Sequence, residues 1–159
     1  MDIPFTVRRL EAGDIEPMLE ICRGNELFYR YHPPLATREN LLQDLTALPP
    51  GRSMRDKFFV GFFDGDALIA MMDWVLGYPK ADTVWIGFFM MHPAHQGRGT
   101  GSEIVQSACR EWAAQGFESV QLAIDQGNPQ SAAFWAKNGF SKTGKVADFS
   151  AYEFMARVL

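Results

Sequence analysis

Apolar and polar positions alternate at the start of the chain. Phe5-Thr6-Val7-Arg8-Arg9-Leu10 has a two-residue period and predicts a strand. Ile15, Met18, Leu19 and Cys22 then recur at helical spacing, which predicts an amphipathic helix opened by Asp14 and stopped by Gly24-Asn25. Pro17 suits the first turn, where a missing N–H matters little. The aromatic stretch Leu27 to Pro34 reads as a loop closed by two prolines. Thr37 is placed to cap a second helix whose buried side is Leu41, Leu42 and Leu45, and Pro49-Pro50-Gly51 ends it.

Beyond that point the period changes. Lys57–Phe63 is aromatic and β-branched, Asp64-Gly65 is a hairpin signal, and Ala67–Leu76 is the returning strand. After the turn Gly77-Tyr78-Pro79, Thr83–Met91 is a nearly continuous apolar run, expected of a central strand covered on both faces. A helix follows Gln96–Gly101 and reaches Trp112, with Ile104, Val105, Ala108 and Trp112 inward and a stop at Gln115-Gly116. Val120, Leu122 and Ile124 alternate in the next strand. Asn128-Pro129 opens a last helix that stops at Asn138-Gly139, and two strands, Ser141–Val146 and Tyr152–Val158, finish the chain. The order is one strand, two helices, three strands, helix, strand, helix, two strands. Hairpins make the first half antiparallel. The stretch from Thr83 to Asp125 is a right-handed crossover between parallel strands. The fold class is therefore α+β, a mixed and mostly antiparallel sheet of about seven strands with helices on both faces.

At 159 residues the chain suits one domain with one core, residues 1–159. Its 47% apolar and 21% charged residues exclude a disordered chain. A net charge of −4 argues against a nucleic-acid partner. Two cysteines outside any C-x-x-C pair, with three scattered histidines, provide no metal-ligand spacing. With no signal-peptide pattern and no run that spans a bilayer, a soluble cytoplasmic protein without membrane attachment is expected.

The chemistry concentrates in Gln96-Gly97-Arg98-Gly99-Thr100-Gly101. Three alternating glycines sit after a strand and before a helix. A helix start has free N–H groups and a partial positive charge, glycines let the backbone approach an anion closely, and Arg98 adds a full charge. The pattern predicts a phosphate or pyrophosphate site. It is not a P-loop, since no Lys-Ser or Lys-Thr follows, and Ser102 stands where a dinucleotide fingerprint needs glycine.

The pattern Gln-x-x-Gly-x-Gly, after a strand ending in apolar-x-Pro, resembles the signature of the GNAT acetyltransferase superfamily. A second block, Asn128 to Phe140, resembles that superfamily's N-x-x-[AS]-x-x-[FL]-[YW]-x-K-x-G-F stretch. The resemblance implies a GNAT-like fold whose central strands splay to admit the pantetheine arm of acetyl-CoA. It places the backbone of Phe89, Met90 and Met91 on that arm, one N–H being an oxyanion-type donor. Gln96, Gly97, Arg98, Gly99, Thr100, Gly101 and Ser102 would hold the pyrophosphate. Asn128 would meet the pantetheine, although an N-cap with Pro129 explains that pair equally. Lys137 would reach the phosphates and Gly139 would be a helix C-cap.

Two departures mark the acid and the base. Trp135 stands where many relatives carry a proton-donating Tyr; an indole could contact the sulfur or pack the core but is no acid. Tyr152 is the substitute candidate. Relatives often carry a Glu or Asp in the strand before the loop, and Thr83–Phe89 has none. Asp73 on the neighbouring strand is the candidate base, against a water chain with no dedicated base. Phe28, Tyr29, Tyr31 and His32 are the candidate acceptor contacts, suited to a small amine or amino-acid-like ligand. Cys22 and Cys109 fall on inner helix faces, which disfavours a covalent acyl-enzyme. The resulting expectation is direct acetyl transfer from acetyl-CoA to a primary amine of a small molecule, amino acid or peptide, without a metal, with a homodimer as a candidate assembly because dimers are common among relatives. A degenerate acyl-CoA-binding module and a nucleotide binder are the rivals.

Overall fold

The computed structural model describes residues 1–146 and 152–159. Seven strands form one sheet in the order β1-β2-β3-β4-β5-β7-β6: β1 Thr6–Arg9, β2 Lys57–Asp64, β3 Ala67–Leu76, β4 Thr83–Met91, β5 Ser119–Asp125, β6 Ser141–Val146 and β7 Tyr152–Val158. All neighbours are antiparallel except β4 and β5. The helices are α1 Ile15–Arg23, α2 Glu26–Tyr31, α3 Arg38–Asp44, α4 Thr100–Ala114 and α5 Pro129–Lys137, with short 3-10 turns at Ala12–Asp14 and Pro93–His95. Among the described residues no helix is long and apolar enough to cross a membrane.

Each sheet face has its own core. Met18, Ile21 and Leu41 pack with Phe59, Met71 and Met90 on one face. Ile104, Ala108 and Trp112 of α4 pack with Phe62, Met72, Val84 and Leu122 on the other. The expected antiparallel half, crossover and helices on both faces are all present. The Leu27–Pro34 segment differs from the expected loop: its first part is helix α2, a short helix held by the packing of Phe28 and Tyr29 on the α1 core. The inward side of α3 is narrower than its leucines suggest, since Leu41 is buried and Leu42 exposed. Asp14 caps nothing by its side chain in α1; its carboxylate takes a two-pronged hydrogen bond from Arg8, at 2.7 and 2.8 Å.

The feature that positions the site is a β-bulge. Asp73 lies opposite Phe88 and Trp74 opposite Ile86, so Gly87 is an extra residue in β4. The bulge inverts the alternation of the strand. Val84 and Ile86 face the α4 core, but after Gly87 it is Phe89 and Met91 that do so, while Phe88 and Met90 face the α1 core. The parallel ladder to β5 stops at the same place, with Ile86 opposite Leu122 as the last pair.

Asp73 and Lys57 occupy the bulge from the β3 side. Lys57 is 1% exposed and its Nζ lies 2.8 and 2.9 Å from the two Asp73 oxygens. A Cβ on Gly87 would stand 3.0 Å from Asp73 Oδ2, so a residue without a side chain suits this position. Burial pushes the Asp73 carboxyl above the ordinary range, and Lys57 beside it pulls the other way. Lys57→Met should therefore cost about 3–5 kcal/mol in urea unfolding, because a buried carboxylate is left alone, whereas Lys57→Met with Asp73→Leu should recover most of the loss.

Candidate functional site

Where β4 and β5 part, residues 87–91 of β4 face a gap. A strand alternates its N–H and C=O groups between its two edges, so part of this segment's backbone has no strand to bond on the β5 side. The gap opens into a cleft of about 550 Å³ floored by Phe89, Met90 and Met91 and walled by Phe134 and Trp135 of α5. The glycine turn forms one end.

Gly97 and Gly99 adopt φ of 75° and 88°, the left-handed region that favours glycine. Gly99 is the N-cap of α4, no side chain caps this helix, and its first backbone bond runs from Glu103 N to Gly99 O. The amides of residues 100–102 therefore have no partner within the helix. A Cβ on Gly101 would lie 2.7 Å from Met91 Sδ, so this glycine lets the helix start sit against the end of β4. Arg98 and Lys137 are exposed, and among the described residues neither forms an ion pair. Two free cations and a row of free amides are suited to a diphosphate.

Side-chain amides hold the turn in place. Gln96 Nε2 donates to Asn25 Oδ1 at 2.8 Å and to the Met91 carbonyl at 3.0 Å. Asn25 Nδ2 donates to Ile21 O at 2.8 Å and to the same Met91 carbonyl at 2.9 Å. The side chain of Gln96 is thus spent inside the protein. Asn25 lies 71 residues away in sequence, where it reads as a helix stop.

A second cleft of about 380 Å³ continues from the first past Phe28, Phe89, Ser131 and Trp135. Its far end holds His32, Asp125 and Tyr152. His32 Nδ1 is 3.0 Å from Asp125 Oδ1 and 3.2 Å from the Tyr152 hydroxyl. Burial, and then the charge of Asp125, push the Tyr152 phenol above its ordinary value, so it remains protonated at neutral pH.

Of the residues singled out in sequence, Phe89, Met90, Met91, Gln96, Gly97, Gly99, Gly101, Ser102, Trp135 and Lys137 line the first cleft, and Phe28, His32 and Tyr152 line the second. Arg98 and Thr100 belong to the turn itself. Asn128 is 1% exposed; its Oδ1 caps α5 by accepting from Gln130 N and Ser131 N, and its Nδ2 has no partner among the described residues. Three residues are not brought together with the rest. Asp73 is bound to Lys57, Tyr29 packs on the α1 core, and Tyr31 is exposed; none of them lines either cleft. Among the described residues no group of three His, Cys, Asp or Glu is arranged to hold a metal.

The sequence profile of the Acetyltransferase (GNAT) family matches residues 20–140. The chain belongs to the GNAT acetyltransferase family. A curated relative, the L-2,4-diaminobutyric acid acetyltransferase of Nocardia farcinica (strain IFM 10152), is 32% identical over an alignment of 82 residues that covers 46% of this chain and 42% of the relative. The match to this GNAT relative thus spans about two fifths of its length. In fold, this GNAT chain resembles an acetyltransferase from Thermus thermophilus, with a TM-score of 0.78 at 21% identity over 99% of this chain and 98% of that one. It also resembles a PaiA N-acetyltransferase from Thermoplasma acidophilum crystallised with coenzyme A, with a TM-score of 0.73 at 19% identity over 99% and 100% of the two chains.

The amide clamp on Met91 makes a specific prediction for this GNAT protein. Asn25→Ala removes the Asn25 donor to Ile21 O and Met91 O and leaves Gln96 Nε2 with the Met91 carbonyl alone, so it should lower stability by about 1–3 kcal/mol. Hydrogen exchange of amides 97–102 should accelerate more than that of the α4 interior.

Proposed function

We propose that this chain is an acetyl-CoA-dependent N-acetyltransferase that moves the acetyl group to a primary amine of a small molecule, amino acid or peptide by direct attack. The observation that carries the reading is the unpaired β4 edge running into the glycine turn. An extended pantetheine arm carries amide groups that such an edge would bond as an added strand. The diphosphate would then meet the free amides of residues 100–102, with Arg98 and Lys137 beside it. The spare Nδ2 of Asn128 fits the same ligand, because a buried donor without a partner costs about 1–3 kcal/mol and a pantetheine carbonyl would satisfy it. Acetyl-CoA supplies the activated thioester; the protein supplies position and N–H donors where negative charge develops on the carbonyl oxygen.

The acceptor would enter by the second cleft. Its aromatic walls and its polar end with His32 and Asp125 suit a small amine, and the curated relative is named for an amine acceptor, diaminobutyric acid. Cys22 and Cys109 are buried and away from the cleft, and burial pushes both thiols up, which favours direct attack over an acyl-enzyme.

One observation favours the alternative of a binding-only module. Trp135 is 7% exposed, packs on Phe89, Phe134 and Phe140, and has no proton to give a leaving thiolate. Against it stands the protonated Tyr152 hydroxyl in the same continuous cleft.

Binding and chemistry are tested separately. Acetyl-CoA at 100 times its Kd should stabilise the protein by about 2.7 kcal/mol in a thermal shift, and ATP or NAD should not. Gly99→Glu, which puts a side chain at φ 88° and a negative charge into the turn, should abolish that shift. Release of CoA thiol across a panel of amines, amino acids and peptides should identify at least one acceptor. Binding without release from any of them would leave the module reading in possession.

A further inference from the structure

We propose that His32 is the proton acceptor for the attacking amine and that Asp125 is the positioning residue that orients it. The inference rests on the acetyl-transfer reading above and names the group that performs its proton step.

The geometry begins with strand pairing. Asp125 at the end of β5 lies directly opposite Tyr152 at the start of β7, so their side chains share one face of the sheet. Helix α2 delivers His32 to the same face as its C-terminal cap, with His32 N bonded to Phe28 O. The Phe28 ring lies 5.2 Å from the imidazole, centroid to centroid, and supports it from behind. Asp125 is 9% exposed. A nearly buried aspartate needs a donor, and among the described residues the one its side chain has is His32.

A carboxylate accepts hydrogen bonds, so the 3.0 Å contact requires the proton on Nδ1. In the neutral ring Nε2 then carries the lone pair. Nε2 has no partner among the described residues, and the ring lines the acceptor cleft. With the Nδ1 proton directed at Asp125, the Tyr152 hydroxyl meets that nitrogen through its oxygen and keeps its own proton for the cleft. Asp44 of α3 is close enough to feel this ring's charge: burial pushes its carboxyl up, while Lys57 and His32 pull it back. By contrast Asp73, the candidate base in the linear sequence, is already satisfied by Lys57.

In the transfer step Nε2 takes one proton from the acceptor ammonium and later passes it to solvent. The freed amine lone pair forms the C–N bond to the acetyl carbon, and the C–S bond breaks with its electron pair going to sulfur. The second proton lost by nitrogen ends on the thiolate, and the Tyr152 hydroxyl, which lines the same cleft, is the relay for it. The products are the N-acetyl amine, CoA thiol and one proton.

The test uses His32→Gln and Asp125→Asn, with wild type, on the best amine from the panel. Acetyl-CoA affinity should stay within about twofold in both variants. For His32→Gln, kcat should fall at least ~100-fold, in the range of general base contributions, with the amine KM nearly constant. Imidazole added to His32→Ala should restore part of the rate. Independently of activity, ring ¹H–¹⁵N spectra of the wild type should show His32 protonated at Nδ1, and Asp125→Asn should weaken that preference. A ring protonated at Nε2, an unchanged kcat in His32→Gln, or a loss confined to the amine KM would overturn the assignment. Wild type that binds acetyl-CoA but acetylates nothing removes the transfer reading itself, and the base role with it; active wild type with an indifferent His32→Gln removes only the base role.

Discussion

The proposed site depends on the parting of β4 from β5, whose ladder ends at Ile86 and Leu122. A central strand of a sheet ordinarily has both edges bonded, and an unpaired interior edge is costly. Here one inserted residue, Gly87, bends β4 at the point where its ladder to β5 ends. The sheet stays whole on either side because β3 and β7 go on pairing with β4 and β5. The gap is therefore held open by two intact half-sheets rather than by a loose segment.

The bulge is itself pinned from behind. Lys57 and Asp73 form a buried ion pair against it, with the Phe59 ring 5.8 Å from the ammonium and the Lys57 carbonyl bonded to Arg9. A carboxylate within an apolar strand suggests catalysis when only the sequence is seen. In the fold its partner is on the adjacent strand, and its surroundings account for it as part of the framework. The pair ties the start of β2 to β3 directly behind the bulge.

Around the gap, groups distant in sequence are tied by a few polar bonds. Asn25 and Gln96 clamp the Met91 carbonyl, joining the end of α1, the end of β4 and the glycine turn. At the other end α2, β5 and β7 each contribute one member of the His32, Asp125 and Tyr152 group. The cleft beside the glycine turn is thus lined largely by backbone and glycine, and the polar end of the second cleft by side chains.

The linear order of residues determined the elements through periodicity, and it determined the turn, since three glycines spaced by single residues before a helix admit few other uses. Both are local: each follows from residues within a turn or a strand length of one another. Tertiary structure decided what depends on distant partners. The helical state of 26–31 comes from Phe28 and Tyr29 packing on a separate core, which overrides the appearance of a proline-ended loop. The parity switch at Gly87 needs the facing strand, because a bulge is defined by a mismatch between two chains and no single chain displays it. Asp125 gave no signal in sequence, being one polar residue at a strand end. Its meaning arises only because β7 pairs beside it and α2 sets an imidazole against it, 93 residues away along the chain.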